Sequence, residues 1–172
     1  MKKITLPLTE QAVNGLKVGD CILLSGTILT ARDSAHKRIF ELLDKNEKLP
    51  FEIKDSVIYY AGPCPAKPGS VSGSCGPTTS SRMNYYAPRL LDLGLGAIIG
   101  KGEMSKSVRD AIKANKSTYF AAIGGAGALY ASCIIRSECI AFDDLLSEAV
   151  YRLDVKDFPV IVAYDSFGNS IY

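Results

Sequence analysis

Three short segments hold side chains that can meet an anion. The first is Gly76-Pro77-Thr78-Thr79-Ser80-Ser81-Arg82-Met83. Read as the start of a helix, it offers free backbone N–H groups and hydroxyls at an end that favours negative charge. Arg82 stands four residues after Thr78, so one helical turn carries its guanidinium to the same side. A guanidinium fork meets a carboxylate through two parallel hydrogen bonds. A well-capped helix with a surface arginine is the plain alternative. The second segment, Thr30-Ala31-Arg32-Asp33-Ser34-Ala35-His36, reads as a strand-to-helix junction, where Arg32 can point into a cleft. A surface pair of Arg32 with Asp33 or a glutamate fits the spacing equally well. His36, the single histidine, reads as a helix-surface or satisfied core residue rather than a catalytic base. The third is Gly100-Lys101-Gly102, where flanking glycines permit close backbone approach and Lys101 can reach an anion, or simply sit in a turn.

No segment decides the chemistry alone. Together they supply three fixed cations and a pair of hydroxyls, with no obvious carboxylate base, metal cage or nucleophile–histidine pair. The set suits a dicarboxylate and looks like half of an active site.

These side chains need a scaffold, and 172 residues suit one domain, taken as 1–172, rather than two. Hydrophobic residues make up 47% and charged residues 22%, an ordinary globular composition that excludes global disorder. No stretch approaches the ~20 consecutive apolar residues of a membrane span. A net charge of +2 is too small for a nucleic-acid footprint across the chain. The charge is uneven: Ser137 to Tyr172 sums to −5, so the remainder carries +7. Six bases and two acids lie between Cys64 and Arg109, a stretch that can attract a small anion or form a solvated basic face. The five cysteines, at positions 21, 64, 75, 133 and 139, show no CxxC spacing and read mostly as small core residues. Pro7, Thr9, Glu10 and Gln11 interrupt any apolar core behind Met1-Lys2-Lys3, so a signal peptide is not expected and a reducing cytoplasmic compartment is.

The first thirty residues read as β, with a buried strand from Cys21 through Leu29. Asp33 can cap a helix that includes His36 to Leu43. Val57 to Ala61 is a second strand. Gly62 to Gly76, rich in proline, glycine and serine, is too long for an ordinary connection and reads as functional or disordered. The pattern then predicts a helix over Thr78 to Leu93, a strand at Ala97 to Gly100, a helix over Ser105 to Asn115 and a strand at Thr118 to Ile123. Gly124-Gly125-Ala126-Gly127-Ala128 suits close helix–sheet packing, and its spacing does not match a GxGxxG phosphate fingerprint. Ile134 to Phe142 and Val160 to Ala163 add strands. The fold class expected is α/β, with mixed sheet layers and flanking helices.

The phrases Gly62-Pro63, Gly76 to Met83, Gly100-Lys101-Gly102, Tyr119 to Gly125, Phe158 to Val162 and Asp165-Ser166-Phe167-Gly168-Asn169 closely resemble the β subunit, or C-terminal domain, of iron–sulfur-dependent class I fumarases and L-tartrate dehydratases. The resemblance runs from Leu16-Lys17-Val18-Gly19-Asp20 to the end of the chain. It implies a swivelling β/β/α domain and a hydro-lyase that reversibly hydrates fumarate to L-malate. A 4Fe-4S cluster held by a separate α subunit would act as Lewis acid on the substrate. This chain would bind no cluster, be inactive alone, and join the α subunit as a heterodimer or a dimer of heterodimers, with no nucleic acid and no membrane involved. By the resemblance Arg32 would bind one substrate carboxylate and Arg82 the second. Thr78 would act as base or proton relay with an acid of the α subunit, Thr79 would support the motif by hydrogen bonding, and Lys101 would favour the extra charge of an aci-carboxylate intermediate. The segment Asp143-Asp144-Leu145-Leu146-Ser147-Glu148 departs from the Leu-Gly-Pro-Glu phrase expected there. The loop Pro63 to Gly69 and the C-terminal segment favour fumarase; tartrate dehydratase and a non-enzymatic anion-binding module are the alternatives.

Overall fold

The computed structural model describes residues 1–172. Its strands are β1 (Lys2–Thr5), β2 (Cys21–Thr30), β3 (Val57–Tyr59), β4 (Ala97–Gly100), β5 (Thr118–Ala121), β6 (Ile134–Ala141) and β7 (Val150–Tyr164). They form one mixed seven-stranded sheet in the order β1-β2-β3-β4-β5-β7-β6, with a further pairing of β2 to β7. That pairing closes β2, β3, β4, β5 and β7 into a barrel-like ring, with β1 and β6 attached outside it. Strands β1 to β5 run parallel, whereas β7 runs antiparallel to β2, β5 and β6. On one side β2 serves β1 through Ile22–Ser25 and β3 through Leu29 and Thr30. Its register against β7 shifts between Leu24 and Gly26, a bulge that bends the strand into the closed ring.

Strand periodicity explains the two cores. Val57, Tyr59, Ala97, Ile99 and Phe120 pack on one face with Leu24, Phe158 and Val162, inside the ring. The alternating Ile58, Tyr60, Ile98 and Tyr119 pack on the other with Ile39, Leu90, Val108 and Ile112. The latter come from α2 (Asp33–Asp44), α3 (Ala87–Asp92) and α4 (Lys106–Ala114), which flank the barrel. The expected mixed α/β architecture, the strands and the α4 helix are all present.

Several local expectations are corrected. The segment read wholly as β contains a short helix, α1 (Glu10–Asn14), where the Thr9 hydroxyl accepts from the Ala12 amide at 3.1 Å. Five residues are too short for a readable helical period. Arg32, not Asp33, is the N-cap of α2, and its side chain makes no cap hydrogen bond. The continuous helix over Thr78 to Leu93 does not form. Thr78 N–H donates to the Tyr60 carbonyl at 2.7 Å and Ser80 N–H to the Lys101 carbonyl at 2.9 Å, so this stretch follows strand ends instead. Only a 3-10 turn at Ser80–Met83 follows, and α3 begins afresh with Pro88 in its first turn. Of the cysteines only Cys75 is buried; Cys21, Cys64 and Cys139 are exposed, and Cys133 is intermediate. The Gly62 to Gly76 loop is pinned by Cys64 N–H to the Ser74 carbonyl and by Cys75 N–H to the Gly127 carbonyl. Gly127 opens α5 (Gly127–Ser132), and a Cβ there would stand 2.3 Å from the Ser74 hydroxyl.

Candidate functional site

The candidate residues collect where the parallel strands end. Arg32 follows β2, Thr78 and Thr79 lie beside the end of β3, and Lys101 directly follows β4. Beyond Tyr59 and Ile99 the strands β3 and β4 part, and Pro77–Ser80 fills the gap between them. Ala61 bridges to Pro77 and Thr79 bridges to Lys101. Carboxyl ends of parallel strands are the usual ligand position in α/β folds.

Arg82 reaches the Thr78 hydroxyl, its Nη2 donating at 2.9 Å, although by way of the 3-10 turn rather than an α-helix. The same Nη2 donates to Asp33 Oδ2 at 2.5 Å. Arg32 Nε lies 3.4 Å from that oxygen and 3.0 Å from Glu148 Oε1. The other Glu148 oxygen accepts from Ser34 N–H at 3.1 Å. Arg32, Arg82 and Thr78 therefore meet in one contact network through Asp33. Lys101 joins it only through the backbone beside Thr79; its ammonium forms no ion pair, and its stem lies over Gly124, where a Cβ would stand 2.9 Å from Lys101 Cδ. Thr79 is exposed and its hydroxyl has no protein partner.

A buried polar network fixes the Lys101 backbone. Its N–H donates to Ser80 Oγ at 2.8 Å, Ser80 lies 2.9 Å from the Tyr119 hydroxyl, and Tyr119 donates to the Gly102 carbonyl at 2.7 Å. Gly100 makes room for it, because a Cβ there would stand 1.9 Å from Ser80 Oγ. Burial pushes the Tyr119 phenol up, so it stays protonated and keeps donating.

Electrostatics around Asp33 favour its ionised form. Burial acts to raise its pKa, but its own backbone N–H, Arg82 and Arg32 outweigh this and leave it below the usual carboxylate value. His36 lies fully buried one turn further along α2, with Nδ1 donating to the Arg32 carbonyl at 3.0 Å and Nε2 unpartnered. It is a core residue, as one of the two expectations had it, but not a fully satisfied one, since only Nδ1 has a partner. Glu148 is carried by a 3-10 segment, Asp143–Glu148, in which Leu146 is 74% exposed with φ 53° and ψ −119°. Such a backbone suits glycine and costs a leucine about 1–3 kcal/mol. A cavity of about 280 Å³ opens beside this segment, lined by Pro63, Cys64, Leu146, Ser147 and Tyr151 among others; none of the five candidate residues lines it.

Sequence reasoning treated Asp33 only as a cap or a surface partner and Ser80 only as part of a helix start, and gave Glu148 and Tyr119 no role. Position next to Arg32 was the one available signal for Asp33. Glu148 lies 114 residues from the Ser34 amide it meets, a distance no local pattern spans.

Arg32 and Arg82 beside the Thr78 hydroxyl, with Lys101 at the neighbouring strand end, form a cationic corner of an α/β fold. Residues 1–172 match the family described as Fumarase C-terminus, and the chain belongs to it. It is 47% identical over 171 residues to a Methanocaldococcus jannaschii protein provisionally named L(+)-tartrate dehydratase subunit beta, covering 96% of this chain and 88% of that relative. It is 42% identical over 165 residues to fumarate hydratase 2 of Leishmania major, covering 95% of this chain and 29% of the relative. It is 39% identical over 174 residues to the aerobic class I fumarate hydratase of Escherichia coli K12, covering 100% of this chain and 31% of the relative. The chain thus spans under a third of these fumarate hydratases and most of the tartrate dehydratase subunit.

Proposed function

We propose that this chain is the β subunit of a class I fumarate hydratase, a hydro-lyase interconverting fumarate and L-malate, whose active site a cluster-bearing α subunit completes. The observation that carries this reading is the meeting of Arg32 and Arg82 at Asp33, with the Thr78 hydroxyl on Arg82, at the strand ends that also carry Lys101, with donors left over. Arg32 engages protein only through Nε, and Arg82 only through Nη2. Their remaining N–H groups have no protein acceptor, and a substrate with a carboxylate at each end suits them.

Thr78 is assigned the proton. Its oxygen accepts from Arg82, which leaves its own hydrogen free to pass to another acceptor. A threonine hydroxyl is a feeble base, so abstraction from the carbon beside a carboxylate requires a carboxylate of the partner to take that hydrogen as Thr78 receives the new one. Lys101, without a paired acid, stabilises the negative charge that builds on the substrate carboxylate. Thr79 supports the motif from its place beside Lys101, where the following amide, Ser80 N–H, donates to the Lys101 carbonyl. The residues of this chain do not fit an iron–sulfur cluster, since no three ligating side chains come together. The 4Fe-4S cluster is assigned to the partner, and no step here is routed through it.

The remaining assignments follow from the same reading. The chain acts as a single domain over 1–172, of the swivelling β/β/α type, in a cytoplasmic hetero-oligomer serving the tricarboxylic acid cycle. No helix is long and apolar enough to cross a membrane.

A second reading, β subunit of an L-tartrate dehydratase, is favoured by the 47% identity and near-complete coverage of the relative so named. Both diacids fit the same cations. Anaerobic co-expression with the candidate α subunit, followed by assays on L-malate, fumarate and L-tartrate, tests both. Turnover of malate and fumarate only with both chains present is the expected result. Preference for tartrate selects the second reading, and activity of the purified chain alone contradicts the shared-site account.

A further inference from the structure

Resting on the dicarboxylate reading above, we propose that Asp33 is a positioning residue that binds Arg32 and Arg82 into one preset pair, leaving their unpartnered donors to the diacid. Apart from the favourable place of its charge in the first turn of α2, the side-chain hydrogen bonds of Asp33 go to no other residue than the two arginines. It occupies the first helical position of α2 rather than the cap, and it supports no distant backbone group. One of its oxygens instead takes Arg82 Nη2 at 2.5 Å and Arg32 Nε at 3.4 Å, drawing together two segments 49 residues apart.

Two guanidiniums side by side repel each other, and two arginines on a solvent-facing site sample many rotamers. A carboxylate between them offsets the repulsion and orders both before any ligand arrives. Ordering in advance lowers the entropic cost of binding. The contacts are placed so that they do not consume the site: each arginine keeps both hydrogens of at least one terminal nitrogen free of protein acceptors. Glu148 braces the arrangement from behind, with one oxygen at Arg32 Nε and the other on the first turn of α2.

The test pairs kinetics of the assembled enzyme with NMR of the full isolated chain, comparing wild type, Asp33→Asn and Asp33→Glu. Asp33→Asn is expected to raise KM for L-malate and fumarate by about tenfold or more while kcat changes less than about threefold, and Asp33→Glu is expected to recover part of the loss. In the isolated chain, the Nε–H signals of Arg32 and Arg82 should exchange with water faster in Asp33→Asn, with the backbone amide spectrum otherwise retained. Unchanged arginine exchange overturns the proposal, as does equal damage by Asn and Glu or a spectrum altered throughout, which would mark Asp33 as a folding residue. If wild-type complex turns over no diacid while the arginines are still released by Asp33→Asn, the dicarboxylate reading fails and Asp33's hold on the arginines stands.

Discussion

His36 illustrates what a single residue contributes here. Its Nδ1–H ties the Arg32 carbonyl, and its ring lies between Tyr60 and Tyr86, with centroids 5.3 and 5.4 Å away. Burial is the main cause that pushes its pKa from 6.5 down to about 4, against the smaller upward pull of the Arg32 carbonyl and Asp33. The folded form is therefore neutral while the unfolded chain takes up a proton below pH 6.5. Between those values the unfolded state binds more protons, so stability rises with pH across the window, is complete above it and is lost on acidification. The shift corresponds to roughly 3 kcal/mol. Asp20, Asp33, Asp110 and Asp144, all held below 3.8, lose their contributions only at still lower pH, so the window belongs to His36. Urea midpoints at pH 7 and pH 4.5 should fall steeply in wild type and clearly less in His36→Phe; parallel losses would show that His36 is not the buried neutral group. Arg32, Thr78, Arg82 and Lys101 could be picked out as candidates from short local motifs, a strand-to-helix junction for Arg32, a proline- and hydroxyl-rich run for Thr78 and Arg82, and flanking glycines for Lys101. Their acidic and phenolic supports could not, because Glu148 and Tyr119 lie far along the chain from Arg32 and Ser80, the residues they meet.

At the scale of elements, the site depends on a segment that is neither helix nor ordinary loop. Pro77–Ser80 wedges between the ends of β3 and β4, and Ser80 and Tyr119 lock it to Lys101 and Gly102. A reading by helical period missed this. The hydroxyl-rich start looked like a helix signal, yet tertiary hydrogen bonds from the Thr78 and Ser80 amides to the Tyr60 and Lys101 carbonyls claimed the backbone. The wedge is close-fitting, since a methyl group at Gly100 would occupy the space of the Ser80 hydroxyl. Gly100→Ala should therefore destabilise the chain by about 2–3 kcal/mol, the cost of overpacking with a broken buried network. Ser80→Ala alone should also destabilise, and the double variant should be less damaged than the sum of the two. Strict additivity in urea denaturation would show that the two sites do not contact each other.

The whole molecule presents its cations on one edge of a barrel-like sheet and does not close over them. Arg82 is exposed and Lys101 only half-buried, and the three basic groups are balanced by just Asp33 and Glu148 nearby. Such an open site suits a surface that another subunit covers. The α/β class and most strands could be read from apolar runs, since strands buried on both faces are hydrophobic almost continuously. Ring closure through β2 and β7 could not, because it depends on a pairing between Cys21–Leu29 and Arg152–Ile161 with no local signature. The central claim is that this open edge binds substrate and does not merely hold the partner. Arg82→Met in the co-expressed complex tests it most directly, by measuring kcat/KM together with the affinity of the two chains. The account expects turnover to fall roughly a hundred- to a thousandfold, the loss of about 2.7–4 kcal/mol of transition-state stabilisation, with association unchanged. Retained turnover, or a loss of association matching the loss of activity, would contradict it and make Arg82 an interface residue.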